Sequence, residues 1–143
     1  MADDREEKAM RPNPVRILIA EDNPLTAQLL QEFLSSRPGL EVVQIASNGR
    51  EAVELSARLQ PHLVLMDVEM PEMNGLEATR RLRARQRGTR VIIVSVHDTH
   101  EVRRAARESG AEAFVSKARL VHELFPAIDS LWGGPEPARG EKS

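Results

Sequence analysis

Acidic, hydroxyl and cationic residues recur at one kind of place in this sequence, directly after short apolar runs. Val15–Ala20 is followed by Glu21 and Asp22, His62–Met66 by Asp67, and Arg90–Val94 by Ser95. A last run beginning at Ala113 ends in Ser116 and Lys117. If these runs share one edge, three carboxylates converge there. Held about 4 Å apart at an effective dielectric near 20, each carboxylate pair costs on the order of 4 kcal/mol. Such a cluster needs a cation or a proton. One or two carboxylates, water and a phosphate oxygen are the ligands that a magnesium ion accepts. A lysine and a hydroxyl opposite would then hold an anionic group joined to the ion. Singly, each residue has plainer uses: Asp22 before Asn23 and Pro24 can cap a helix, and a lone Asp or Lys at a strand end is ordinary solvated surface. The constellation in this order points to metal-assisted handling of an anion.

The elements that would position these groups can be read from periodicity. Val15–Ala20 is expected as a strand, with Pro24 in the first turn of a helix running to about Ser36 and stopped by Arg37-Pro38-Gly39. Leu40–Ala46 is a second strand, and Asn48 caps a helix from about Arg50 to Leu59. Pro61 precedes the third strand, His62–Met66. A connection through Pro71 and Gly75 leads to a helix over Leu76 to about Arg85. Arg90–Val94 is a fourth strand, Thr99 caps a helix to Glu108, and Ala113–Ser116 is a fifth strand before a closing amphipathic helix, Leu120–Leu131. Alternating strands and helices at this spacing imply an α/β fold with a parallel sheet covered on both faces. Ligands of such sheets bind beyond the carboxyl ends of the strands.

Composition narrows the class further. The chain has 143 residues, enough for one domain, and no cysteine, which excludes disulfides, thiolate zinc and thiol nucleophiles. A net charge of −2 gives no overall attraction to nucleic acid or anionic lipid. No apolar stretch reaches the roughly 20 residues of a membrane helix, and a cytoplasmic location is expected. The charged segment 1–14 is expected as a flexible leader, 15–132 as the folded domain, and the Gly- and Pro-rich segment 133–143 as a tail or linker stub.

Four segments together carry a family resemblance: Val15–Pro24 (Val-Arg-Ile-Leu-Ile-Ala-Glu-Asp-Asn-Pro), Leu63–Glu77, Val91–Asp98 and Gly110–Lys117. They resemble bacterial response-regulator receiver domains, with the Ser95–Asp98 stretch closest to the NarL type. The resemblance implies a three-layer α/β/α sandwich of the flavodoxin-like (βα)5 type, with parallel strands ordered 2-1-3-4-5. It implies Asp67 as phosphoacceptor, receiving a phosphoryl group from a phosphohistidine of a sensor histidine kinase or phosphotransfer protein. Glu21, Asp22, Asp67 and the backbone carbonyl of Glu69 would hold Mg2+, Glu21 standing where an Asp is frequent. Lys117 would pair with the phosphoryl oxygens, Ser95 would hydrogen-bond the attached group, and Phe114 would be the switch aromatic of the surface made by the fourth helix, the fifth strand and the closing helix. Glu69 and His97 border the site and are expected to tune phosphoryl lifetime.

A receiver of this kind is a self-catalysing phosphoacceptor with slow autodephosphorylation rather than a dedicated enzyme. Its expected partners are the kinase, a downstream protein target or fused effector, and a phosphorylation-dependent second copy, with no direct DNA or membrane binding. Residues after Trp132 are too few for a helix-turn-helix module, so a stand-alone receiver and one joined to an effector both stay open. Two other functions remain in view. An aspartyl-phosphate hydrolase would share Asp, Ser and Lys, but carries its nucleophile on the first strand with an Asp two residues on. A phosphate-independent binding module would keep the fold alone. His62 and His122 are expected at the surface, and His97 and His100 lack the further ligands of a transition-metal site. Met66, Met70 and Met73 read as packing. The run Arg80, Arg81, Arg83, Arg85, Arg87 and Arg90, with Arg103, Arg104 and Arg107, reads as solvated helix surface or as a face for an anionic partner.

Overall fold

The computed structural model describes residues 11–132. The expected tail, 133–143, and most of the expected leader, 1–14, lie outside them. Strands β1 (Val15–Ala20), β2 (Leu40–Ala46), β3 (Leu63–Asp67), β4 (Arg90–Ser95) and β5 (Ala113–Ser116) alternate with helices α1 (Pro24–Ser35), α2 (Gly49–Leu59), α3 (Gly75–Arg85), α4 (His100–Ser109) and α5 (Leu120–Ser130). All neighbouring strands are parallel, and their order is β2-β1-β3-β4-β5. The chain builds outward from β1 in one direction to β2 and in the other to β3, β4 and β5. The order therefore reverses between β1 and β3, where sheets of this type take their ligands.

Side-chain alternation in the strands sorts the core into two layers. Ile17, Ile19, Leu63, Leu65, Ile92 and Val94 face one side with Leu30 and Leu34 of α1 and Leu124 and Ile128 of α5. Leu18, Val64, Met66, Val91 and Ile93 face the other with Leu55 of α2, Leu82 of α3 and Ala106 of α4. β3 is buried along its whole length, as a central strand covered on both faces must be. Each fully buried Leu or Ile contributes roughly 1.5–3 kcal/mol of transfer free energy, so this double layer is a stiff platform for whatever stands on the strand ends.

Local chemistry sets the helix starts. Asn23, Asn48, Asn74 and Thr99 accept hydrogen bonds from first-turn amides of α1, α2, α3 and α4, satisfying donors that the helix leaves unpaired. Two details depart from the sequence reading. Lys117–Arg119 form a 3-10 turn before α5. His62 is not a surface residue: it is half-buried, and its Nδ1 accepts the Arg16 amide at 2.9 Å. As expected, α5 runs through Pro126, which removes the helical donor for the carbonyl of His122; His122 is exposed, so water can serve instead.

Candidate functional site

The carboxyl ends of β1, β3, β4 and β5 bring the expected residues to one edge. Glu21 and Asp22 follow β1, Asp67 closes β3, Ser95 closes β4, and Lys117 opens the turn after β5. Glu21, Asp22 and Asp67 each offer one carboxylate oxygen to a group lying within 4.8 Å of one another. Lys117 Nζ reaches across to Glu21 Oε1 at 2.8 Å and Asp67 Oδ1 at 3.5 Å. Glu21 and Asp67 are buried, whereas Asp22 is exposed.

Charge is unbalanced here, with three carboxylates around one ammonium. Burial, then the neighbouring Glu21 charge, push the Asp67 carboxyl up to about 6, against the pull of Lys117. Burial also works against the Lys117 ammonium, but the Glu21 hydrogen bond and the charge of Asp67 outweigh it and hold its pKa above the ordinary value. Oxygen-only donors with surplus negative charge fit a hard divalent cation and not a soft transition metal. Glu21 is the least available of the acids. Its Oε2 accepts the Asn23 amide at 3.1 Å while Oε1 holds Lys117.

The loop from Val68 to Asn74 closes the site from one side. Gly75 serves close packing rather than a positive φ. Its amide donates to the Val68 carbonyl at 2.8 Å, and a Cβ there would lie 1.9 Å from the Asp67 carbonyl oxygen. The positive φ of this loop falls instead on Glu72. Met66 and Met70 are buried and Met73 packs against the core, as expected.

On the other side Ser95 is buried, and its Oγ accepts the His97 amide at 3.0 Å. His97 Nε2 meets Glu69 Oε2 at 2.8 Å, a contact that joins the loops after β3 and β4. Sequence singled out both residues but not their pairing. Phe114 is half-buried, with the Arg103 guanidinium 4.6 Å from its ring centroid; nothing in the sequence reading linked these two. The expected arginine run is largely spoken for within the fold. Arg80 and Arg81 pair with Glu77, Arg83 with Glu112, and Arg90 lies over Trp132. Among the described residues, no acidic or histidine cluster able to hold a metal includes His97 or His100.

A parallel sheet with an acid–lysine pocket at its strand-order reversal defines the class: a doubly wound α/β domain built to handle an anion beside a cation. The family model for the response regulator receiver domain matches residues 17–129, and the chain belongs to that family. Its curated relatives include protein-glutamate methylesterase/protein-glutamine glutaminase 4 of Myxococcus xanthus, 46% identical over 110 residues, covering 76% of this chain and 31% of the relative. The nitrate/nitrite response regulator NarL of Escherichia coli is 33% identical over 121 residues, covering 85% of this chain and 56% of NarL. The NarL likeness expected from Ser95–Asp98 is thus present beside a methylesterase likeness of higher identity. Among solved structures, the response regulator domain of Thermotoga maritima CheB superposes with a TM-score of 0.76 at 30% identity, covering 85% of this chain and 98% of that one. The chain spans between about a third and just over half of the length of these curated relatives. It is a receiver domain of two-component response regulators, which accept phosphoryl groups on an aspartate. No helix among the described residues is long and apolar enough to cross a membrane.

Proposed function

We propose that Asp67 is the phosphoacceptor of this receiver, within a domain spanning residues 15–132. One observation carries the reading: Asp67 ends a fully buried central strand with Lys117 Nζ 3.5 Å from one oxygen and two further carboxylates beside it. In the reaction an Asp67 oxygen attacks the phosphorus of a phosphohistidine. The new O–P bond forms as the P–N bond breaks, and the imidazole leaves with the electron pair. Positioning and charge stabilisation dominate such a transfer. Lys117 supplies a fixed positive charge to the phosphoryl oxygens, and leaving Glu21 for the phosphoryl group is a short movement for a flexible side chain.

Mg2+ fits the oxygen donors: Asp22, Asp67 and the Glu69 backbone carbonyl would hold it, with Glu21 assisting from its hydrogen-bonded position. When bound, it supplies neutralising charge to the phosphoryl oxygens. Ser95 is the hydroxyl that bonds the attached group, a charge-assisted contact worth about 1.5–3 kcal/mol. That energy suffices to shift a two-state loop by roughly ten- to a hundredfold. Phe114 reads the change by packing alone and alters the α4-β5-α5 surface seen by a downstream protein, a fused effector or a second copy. Glu69 and His97, bridged over the mouth, tune how long the phosphoryl group lasts. The phosphoryl donor is a sensor histidine kinase or phosphotransfer protein, and the domain acts as a switch rather than as a dedicated enzyme, in the cytoplasm.

Intact-mass measurement after incubation with Mg2+ and acetyl phosphate tests the assignment. The native chain should gain one phosphoryl group and Asp67→Asn none. Equal uptake by both would move the acceptor elsewhere, and uptake by neither would leave a binding module without phosphate chemistry.

A further inference from the structure

Several contacts converge on Phe114 from the loop that follows Ser95. In the β4–β5 register Ile93 lies beside Phe114 and Ser95 beside Ser116, so Ser95 and Phe114 share one face of the sheet. The Arg103 guanidinium of α4 covers the Phe114 ring. Asp98 grips the same guanidinium with two hydrogen bonds, Nε to Oδ1 at 2.6 Å and Nη2 to Oδ2 at 3.2 Å. Asp98 belongs to the loop whose His97 amide is tied to Ser95 Oγ. A continuous chain of contacts thus runs from the hydroxyl at the site, through Asp98 and Arg103, to the ring.

A planar guanidinium suits this double duty, its edge forking onto a carboxylate while its face covers an aromatic ring. Resting on the reading of Asp67 as phosphoacceptor, we infer that Asp98 and Arg103 form a latch that keeps Phe114 covered in the resting protein and lets go when Ser95 turns to a phosphoryl group. Drawing Ser95 Oγ toward that group strains the His97 contact and carries the loop, with Asp98, along. Arg103 then loses its grip and leaves the ring, widening the groove, about 220 Å³ at rest, that Arg103, Ala106, Arg107, Glu112 and Phe114 line between α4 and β5. The strength is right for a latch. Arg103 and Asp98 side chains are 43% and 36% exposed, so the pair and the ring contact together bias the resting equilibrium by only roughly three- to thirtyfold. Arg103 and Asp98 are positioning residues, acting on the switch through Phe114.

The test is 19F NMR of protein carrying 4-fluorophenylalanine, with residue 114 assigned by Phe114→Leu. Three variants are compared with wild type, with and without Mg2+ and acetyl phosphate: Arg103→Gln, Arg103→Lys and Asp98→Asn. Without phosphate, Asp98→Asn, which keeps the cation but removes its clamp, should move the residue 114 resonance part of the way toward its phosphorylated position. Arg103→Gln should move it further in the same direction, with Arg103→Lys between wild type and Gln. Intact mass in the same samples should show unchanged phosphoryl uptake. A residue 114 resonance that phosphorylation moves but Asp98→Asn leaves in place would overturn the latch. Wild-type protein that takes up no phosphate would overturn the Asp67 reading and the release step with it, while the phosphate-free comparison still decides whether Asp98 and Arg103 cover the ring.

Discussion

The two edges of one sheet bury polar groups in opposite ways. At the amino-terminal edge Gln86 Nε2 shares its protons among the Ser56 carbonyl at 3.0 Å, Ser56 Oγ at 3.1 Å and Thr89 Oγ1 at 3.2 Å. Thr89 Oγ1 donates in turn to the Pro61 carbonyl. Burial, then the nearby Arg16 charge, lower the His62 pKa and keep the ring neutral as an acceptor for the Arg16 amide. The side chains of Gln86, Ser56, Thr89 and His62 are uncharged and each makes a hydrogen bond, which is the arrangement that stabilises a core. At the carboxyl-terminal edge the buried groups are charged and out of balance, an imbalance that a cation or a proton offsets. One edge holds the fold, whereas the other concentrates the unbalanced charge.

The strongest break in this contrast should come from Gly75→Ala. The added methyl would overlap the Asp67 carbonyl, and overpacking against backbone is expected to cost about 3 kcal/mol or more. Urea unfolding should show that loss together with failed phosphoryl uptake, because the strand end itself is displaced. Gln86→Leu should cost nearly as much, about 2–3 kcal/mol, since Ser56 and Thr89 lose their buried partner. Phosphoryl uptake by the folded fraction should be unchanged. An uptake defect in that variant would mean that the two edges are coupled.

Asp67→Asn sharpens the comparison with the opposite sign. In the folded protein the Asp67 pKa is raised from 3.8 to about 6, so the native state holds this proton more tightly than the unfolded chain. Asp67 therefore supports stability fully below the unfolded value and loses that support as pH rises through about 6. At pH 7 without metal its ionisation costs about 2 kcal/mol, allowing for partial solvation of the site. Asp67→Asn should stabilise the protein by that amount at pH 7. The gain should shrink on acidification and vanish below about pH 4. Thermal melts across pH in chelator-containing buffer check it, and added Mg2+ should narrow the difference by stabilising the native chain alone.

Much of this was legible because alternation and capping act locally, while the strand order came only with the family resemblance. The apolar runs, the caps at Asn48 and Thr99, and the residues on the strand ends are set within a few positions of themselves. What escaped reading depends on partners far apart in the chain. Ser56 and Gln86 are 30 residues apart, and neither sequence window shows the other. His62 looked like surface because only the neighbouring β1 supplies the amide that buries it. Gly75 is glycine not for its own dihedrals but for the carbonyl of Asp67 lying under it, a proximity created by the loop closing. Arg83 read as part of a solvated or partner-binding face for the same reason, since Glu112 reaches it only across the packed helix and strand.

The smallest effect belongs to the bridge over the mouth. Glu69 and His97 side chains are 65% and 55% exposed, and exposed pairs contribute at most about 1 kcal/mol. Breaking the bridge therefore cannot abolish the chemistry below it. It can let water reach the acyl phosphate more often, and about 1 kcal/mol corresponds to roughly a fivefold rate. Glu69→Gln and His97→Ala should each speed loss of the phosphoryl group by up to that factor, followed as decay of the phosphorylated mass after the donor is removed. If the bridge acts as one unit, the double variant should decay no faster than the quicker single variant. Multiplying rates would instead show that each side chain shields the phosphoryl group separately, and the contact between them would then be incidental to lifetime.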